Sequence, residues 1–184
     1  MLRTKCRAFG RRCRTLSPAL LLAMLLSPAI APAADEACQG FSWDVTRERS
    51  LFAGKGEAAT AGRDSGAAPT LMPATLYALQ LKPVGQVHFV ATPGRKGPED
   101  AFAGLAMLQI PTAGLYRISA DAPVWIDVVA DGGLMVVKDF QGAHDCTAPR
   151  KILVFEFPVP RQVTLQVSSA TSASVRIGIT AAAP

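Results

Sequence analysis

The stretch Arg161-Gln162-Val163-Thr164-Leu165-Gln166-Val167-Ser168, with Ser174-Val175-Arg176-Ile177-Gly178-Ile179-Thr180 just beyond it, decides how this chain folds. In the first run Val163, Leu165 and Val167 point one way while Thr164 and Gln166 point the other. In the second, Val175, Ile177 and Ile179 oppose Arg176 and Gly178. Successive side chains of a β-strand leave on opposite faces, so this alternation predicts strands with one face in a core and one toward water. Further runs rich in Val, Ile, Leu, Phe and Tyr lie upstream: Leu76 to Lys82, Gln86 to Ala91, Gly104 to Ile110, Leu115 to Ala120, Val124 to Val129, Leu134 to Phe140 and Ile152 to Phe157. Turn formers divide them, among them Ala113-Gly114, Asp121-Ala122-Pro123, Asp131-Gly132-Gly133 and Pro158-Val159-Pro160. The pattern predicts an all-β fold, a β-sandwich of about eight or nine strands over residues 76–184.

Residues 34–75 read as an N-terminal arm and loop. Val45, Arg49 and Phe52 fall on one face of a short helix over Asp44 to Phe52, with Asp44 placed to cap it. Gly54 to Thr70, rich in Gly, Ala and polar residues, reads as a long mobile loop. Residues 1–33 read as a cleaved signal peptide: Arg3, Lys5, Arg7, Arg11, Arg12 and Arg14 precede an apolar stretch from Leu16 to Ile30 and then Ala31-Pro32-Ala33-Ala34. The unbroken apolar core, Ala19 to Leu26, is far shorter than the roughly 20 residues that cross a bilayer, so no membrane span is expected. Arg11-Arg12 leaves the general secretory and twin-arginine routes both open. The expected location is periplasmic or secreted.

Removal of the leader takes six cations with it. All fourteen acidic residues lie at or after Asp35, so the working chain carries 13 Lys+Arg against 14 Asp+Glu, in place of the +5 of the whole sequence. A near-neutral body argues against nucleic acid as a partner, because phosphate neutralisation needs clustered basic surface. Cys6 and Cys13 leave with the signal, and Cys38 and Cys146 remain. A single pair in an oxidising compartment predicts a Cys38–Cys146 disulfide. For a closed loop of about 108 residues the chain-entropy model gives roughly 4 to 5 kcal/mol, less any native strain.

The succession Gly114-Leu115-Tyr116-Arg117-Ile118, Val124-Trp125-Ile126-Asp127-Val128-Val129 and Val175-Arg176-Ile177-Gly178-Ile179 resembles the pre-peptidase C-terminal-like jelly-roll modules appended to secreted bacterial peptidases. That resemblance implies a jelly-roll-like sandwich and a binding or chaperoning module, sometimes calcium-dependent, without catalysis. The runs Phe41-Ser42-Trp43-Asp44-Val45 with Arg47-Glu48, and Lys138-Asp139-Phe140-Gln141-Gly142 leading to Cys146, resemble a group of small exported bacterial proteins of unsettled activity, some labelled homogentisate dioxygenase. The iron chemistry that this label implies needs two His and a carboxylate on one metal. Here the available set is His88, His144 and Asp145 or Asp139, with His88 expected to face solvent.

Other chemistry finds little support in the residues. Asp64-Ser65-Gly66 sits in the presumed loop, where nothing holds a serine nucleophile in place. A thiolate site at His144-Asp145-Cys146 needs reduced cysteines and further ligands. Asp121, Asp127, Asp131 and Asp139 fall at or near turns and suit backbone bonding better than calcium. Trp125 and Asp127 occupy the strand face opposite the core stripe, and with Trp43 they form the candidate binding face. Either that face is a platform for a sugar or peptide, or the arm carrying Phe41, Trp43 and Val45 lies over it, with Arg47 and Glu48 as structural partners. The expectation is therefore an exported, non-catalytic sandwich without a cofactor, binding an envelope protein, peptide or glycan. A small non-haem-iron dioxygenase and a carbohydrate- or peptide-binding accessory module are the alternatives.

Overall fold

The structure is a computed structural model, and it describes residues 40–146 and 148–182. Residues 1–39, which hold the expected signal peptide, Cys38 and the start of the expected arm, lie outside the described residues. Among the described residues there are twelve strands and one short α-helix: β1 Glu57–Thr60, β2 Thr70–Leu71, β3 Leu76–Gln80, β4 Lys82–Pro83, β5 Phe102–Ile110, β6 Gly114–Ala120, β7 Trp125–Ala130, β8 Gly133–Leu134, β9 Asp139–Gly142, β10 Lys151–Phe157, β11 Arg161–Ala170, β12 Ser174–Ala181, and α1 Thr46–Phe52.

The strands form two packed sheets. The first runs β1-β3-β12-β6-β10-β9, and the second runs β2-β5-β11-β7-β8 with β4 also on β5. The antiparallel pairs β3/β12, β5/β11, β6/β10 and β7/β8 are nested one inside the next, which is the winding of a jelly roll. Alternation delivers the core as the sequence predicts. Val163, Leu165 and Val167 of β11 and Val175, Ile177 and Ile179 of β12 are buried with Ile118, Ile126, Val128, Phe155 and Phe157. Tyr116 meets Phe157 edge to face at 5.6 Å, and its hydroxyl donates to the Thr112 carbonyl at 3.1 Å.

Three expectations change. Gln86 to Ala91 is not a strand, although its burial alternates as one. Its backbone turns instead to a side chain: the Val90 and Ala91 N–H groups both donate to Gln166 Oε1, at 2.8 and 3.1 Å, and Gln166 Nε2 donates to the Ala91 carbonyl at 3.0 Å. The fully buried Gln166 thus stands in for a neighbouring strand. The run Leu134 to Phe140 divides, because the chain changes sheets within it. Met135 N–H still bonds Val128 of β7, whereas Lys138 N–H bonds Val154 of β10.

Gly54 to Thr70 is ordered structure. It carries β1, which runs parallel to β3, a 3-10 turn at Ser65–Ala67 whose Ala67 N–H is capped by Asp64 at 3.0 Å, and β2, which runs parallel to β5. Between them, Gly62 exchanges backbone bonds with Leu105 at 2.8 and 3.0 Å. A Cβ at Gly62 would stand 2.6 Å from the Asp64 carbonyl oxygen, so the small residues here serve close packing and not freedom.

The arm also lies elsewhere than expected. α1 covers the outer face of the first sheet, away from Trp125 on the second. Val45, Glu48 and Phe52, spaced along one helix face, are buried. Gly178 of β12 leaves the room for this, since a Cβ there would stand 2.9 Å from both Leu51 and Phe52 side chains. Glu48 accepts from Thr180 Oγ1 at 2.5 Å and pairs with Arg117 at 3.3 Å. Arg117 lies over the Trp43 ring at 5.2 Å and donates to the Asp44 carbonyl. Arg47 donates to the Ala181 carbonyl at 2.7 Å, so Arg47 and Glu48 hold the sheet and not each other. Val45 takes the cap position. The Asp44 carboxylate accepts from Thr46 N–H, and hydrogen bonding from Thr46 holds it below the ordinary carboxylate range.

Candidate functional site: a basic cleft beside Trp125

The outer face of the second sheet is roofed by residues 84–101. Val87 packs with Ala103 and Leu105 of β5, joined by Val84 and Phe89, and the Gln166 amide holds the middle of the segment. Farther along, Asp127 holds it a second time. Asp127 Oδ2 accepts Gly94 N–H at 3.0 Å, and Oδ1 accepts Trp125 Nε1–H at 2.9 Å. Both carboxylate oxygens are therefore engaged within the fold, and Asp127 is nearly buried. Alternation along β7 places Trp125 and Asp127 on this outer face, as the sequence predicts, while Val124 and Ile126 enter the core.

Where the roof ends, a cleft of about 640 Å³ opens. Its walls include Arg95 and Lys96 from the roof, Trp125 from β7, Phe140 from β9, and Arg150 and Lys151 at the start of β10. A volume of this order suits a small ligand or a few sugar rings. Lys151 Nζ donates to the Val124 carbonyl at 2.9 Å and stands 5.6 Å from the Trp125 ring centre, a cation–π distance. Burial, with Arg95 nearby, holds the Lys151 ammonium below the ordinary lysine range, and Asp127 acts in the opposite sense. Arg150 donates to the His144 carbonyl and lies 3.2 Å from His144 Nδ1. Phe140 is 71% exposed, a large apolar ring left at the rim.

The far wall includes Ser169, at a β-bulge in β11 between Val167 and Ala170. Its φ of 56° lies in the left-handed region, which costs a non-glycine residue of order 1–3 kcal/mol. Ser168 Oγ and Ser169 Oγ are buried without a protein hydrogen-bond partner. Gly97 packs against Ser169 so closely that no Cβ fits there. Bulges and strained residues are enriched beside functional sites.

Of the residues singled out from sequence, Trp125 and His144 line the cleft and Asp127 braces it. Trp43 does not join them, being held on the first sheet by Arg117. His88 is exposed, with its backbone N–H bonded to Arg63. Among the described residues no three His, Cys, Asp or Glu side chains converge, so His88, His144 and Asp145 or Asp139 do not assemble as a set of iron ligands. The turn aspartates have local partners: Asp121 with Arg176, Asp131 with Arg161, and Asp139 with Phe140 N–H. Cys146 is fully buried and disulfide-bonded. Among the described residues no helix is long and apolar enough to cross a membrane.

The four cations and Ser169 escaped the sequence reading. Arg95-Lys96 and Arg150-Lys151 are visible as two dibasic pairs, but a net charge says nothing of where charges gather. No family model and no curated protein matches the chain.

Proposed function

We propose that the protein is an exported, non-catalytic binding domain of the cell envelope whose ligand sits in the cleft between Trp125 and Phe140. The observation that carries this reading is the cleft itself: aromatic and cationic side chains converge on one concavity, while no nucleophile with its base, and no set of metal ligands, converges there among the described residues. Export is supported by the leader-like start of the sequence and by the disulfide state of Cys146. Cys38 is the proposed partner. Residues 40–43, which follow it, run beside Gln141 and Ala143: Gln141 Oε1 accepts Ser42 N–H at 2.9 Å, and a Cβ on Gly40 would stand 2.8 Å from that of Ala143.

A photoreactive residue at position 140, compared with one at the exposed Val159, tests the site in intact cells. Covalent capture of one envelope component at 140 and not at 159 is the expected result. Equal labelling at both positions would remove the cleft as the binding site, and stoichiometric iron in the natively purified protein would return the oxygenase reading.

A further inference from the structure

We infer that the cleft recognises an acidic glycan, taking a sugar ring against Trp125 and Phe140 and its oxyanion on Arg95, Lys96, Arg150 and Lys151. This rests on the binding reading above and names the ligand class for the same site.

The charges come first. Four of the 13 Lys and Arg residues after Asp35 meet here from two segments far apart in sequence, and among the described residues no acidic side chain lines the cleft. Of the nine elsewhere, four lie within ion-pair distance of a carboxylate: Arg117 with Glu48, Lys138 with Glu156, Arg161 with Asp131 and Arg176 with Asp121. The four cleft cations have no ion pair among the described residues, and the nearest carboxylate, Asp127, is occupied by Gly94 and Trp125. Like charges gathered without a counter-charge disfavour one another, as the lowered Lys151 shows, and a bound oxyanion relieves that repulsion. Paired guanidinium and ammonium donors suit a carboxylate or phosphate equally.

The second observation is independent of charge. Ser169, in the cleft wall, sits on a bulge that holds it in a left-handed conformation, and among the described residues its buried hydroxyl has no hydrogen-bond partner. Bulges and residues strained in this way are enriched beside binding and catalytic sites. Two competing occupants fit less well. A nucleic acid strand needs an extended basic track, and the body outside the cleft has an excess of acids. A peptide joining the sheet would use the edge at β9, where residues 40–43 already lie against Gln141 and Ala143.

The test uses the disulfide-bonded protein carrying Trp43→Phe, so that Trp125 alone reports, with calorimetry alongside. The probes are tetragalacturonate, its fully methyl-esterified neutral form, mannose 6-phosphate and inorganic phosphate. Tetragalacturonate or mannose 6-phosphate is expected to bind and shift Trp125 emission, the tighter of the two identifying the acid as carboxylate or phosphate. The neutral ester should bind at least tenfold more weakly than tetragalacturonate. Arg95→Gln with Lys96→Gln, both on exposed positions, should weaken binding at least tenfold with no change in the unfolding midpoint. Binding of the ester as tightly as the acid would overturn the inference while leaving the cleft as a binding site. Inorganic phosphate binding as tightly as the sugars would overturn the glycan assignment. Labelling at position 140 in cells without binding of any probe would also overturn it, again sparing the broader reading.

Discussion

The two outer faces of this sandwich are covered in opposite ways. The first sheet is covered by a helix at whose seam opposite charges meet: Glu48 meets Arg117 and Thr180, and Arg176 of β12 meets Asp121 and the carbonyls at the helix end. The second is covered by an irregular segment, held by Gln166 and Asp127, whose own cations Arg95 and Lys96 face a cleft with no carboxylate on its walls among the described residues. An unpaired hydroxyl alone does not separate the two faces, because Ser119 Oγ on the first sheet lacks a partner as well. Unmatched charge beside a strained bulge does separate them. One cover completes the fold, and the other leaves chemistry exposed.

The comparison breaks most easily at the helix. Phe52 is 2% exposed and packs on Gly178, so Phe52→Ala should cost about 3–5 kcal/mol in urea unfolding while ligand affinity at the cleft stays within twofold. A loss under about 1 kcal/mol would mean that the helix is not part of the stable unit. Next in size is the disulfide of Cys146, beside the segment that carries His144 and Arg150 to the cleft. Cys146→Ser should cost roughly 2–4 kcal/mol and also weaken binding, in contrast to Phe52→Ala. Unchanged affinity would detach the cleft from this tether.

Gln166→Ala sharpens the contrast further. It strands the Val90 and Ala91 N–H groups, for about 1–3 kcal/mol, and releases the segment that places Arg95 and Lys96. The expected signature is a modest loss of stability with at least a tenfold loss of binding, checked by amide exchange of residues 86–98. Full protection there in the variant would show that the Val87 contacts alone hold the roof.

How much of this was legible follows from the same contrast. Strict alternation made β11, β12 and β7 readable, and with them the core and the outward direction of Trp125 and Asp127, because burial on one face leaves a period of two in the sequence. What lies over an outward face leaves no such trace. Val87 and Phe89 alternate like a strand, yet the backbone just beyond them, at Val90 and Ala91, is paired to a glutamine 76 and 75 residues away. Glycine and alanine at 54–70 read as freedom but serve tight packing of Gly62 and Ala61 against β5. The basic cleft was hidden by its own compensation. Its cations are cancelled in the sum by acids placed elsewhere, so a near-zero total conceals a strongly polarised surface.

The smallest expected effect is at Lys151, where stability and binding should move apart. Its folded-state pKa is lowered, so between that value and the ordinary lysine value of about 10.4 the unfolded chain binds more protons than the folded one. Stability therefore rises with pH across this window, and below it the burden of the buried, crowded ammonium is fully present. Lys151→Met removes the titration, so the wild type should gain on the variant as pH rises through the window in paired denaturation curves; parallel curves would sink the assignment. Because an oxyanion favours the charged ammonium, binding should raise the Lys151 pKa, take up protons, and weaken as pH climbs through the same interval. The proton uptake is read from calorimetry in buffers of different ionisation enthalpy, and its disappearance in Lys151→Met would tie the anion to this one nitrogen.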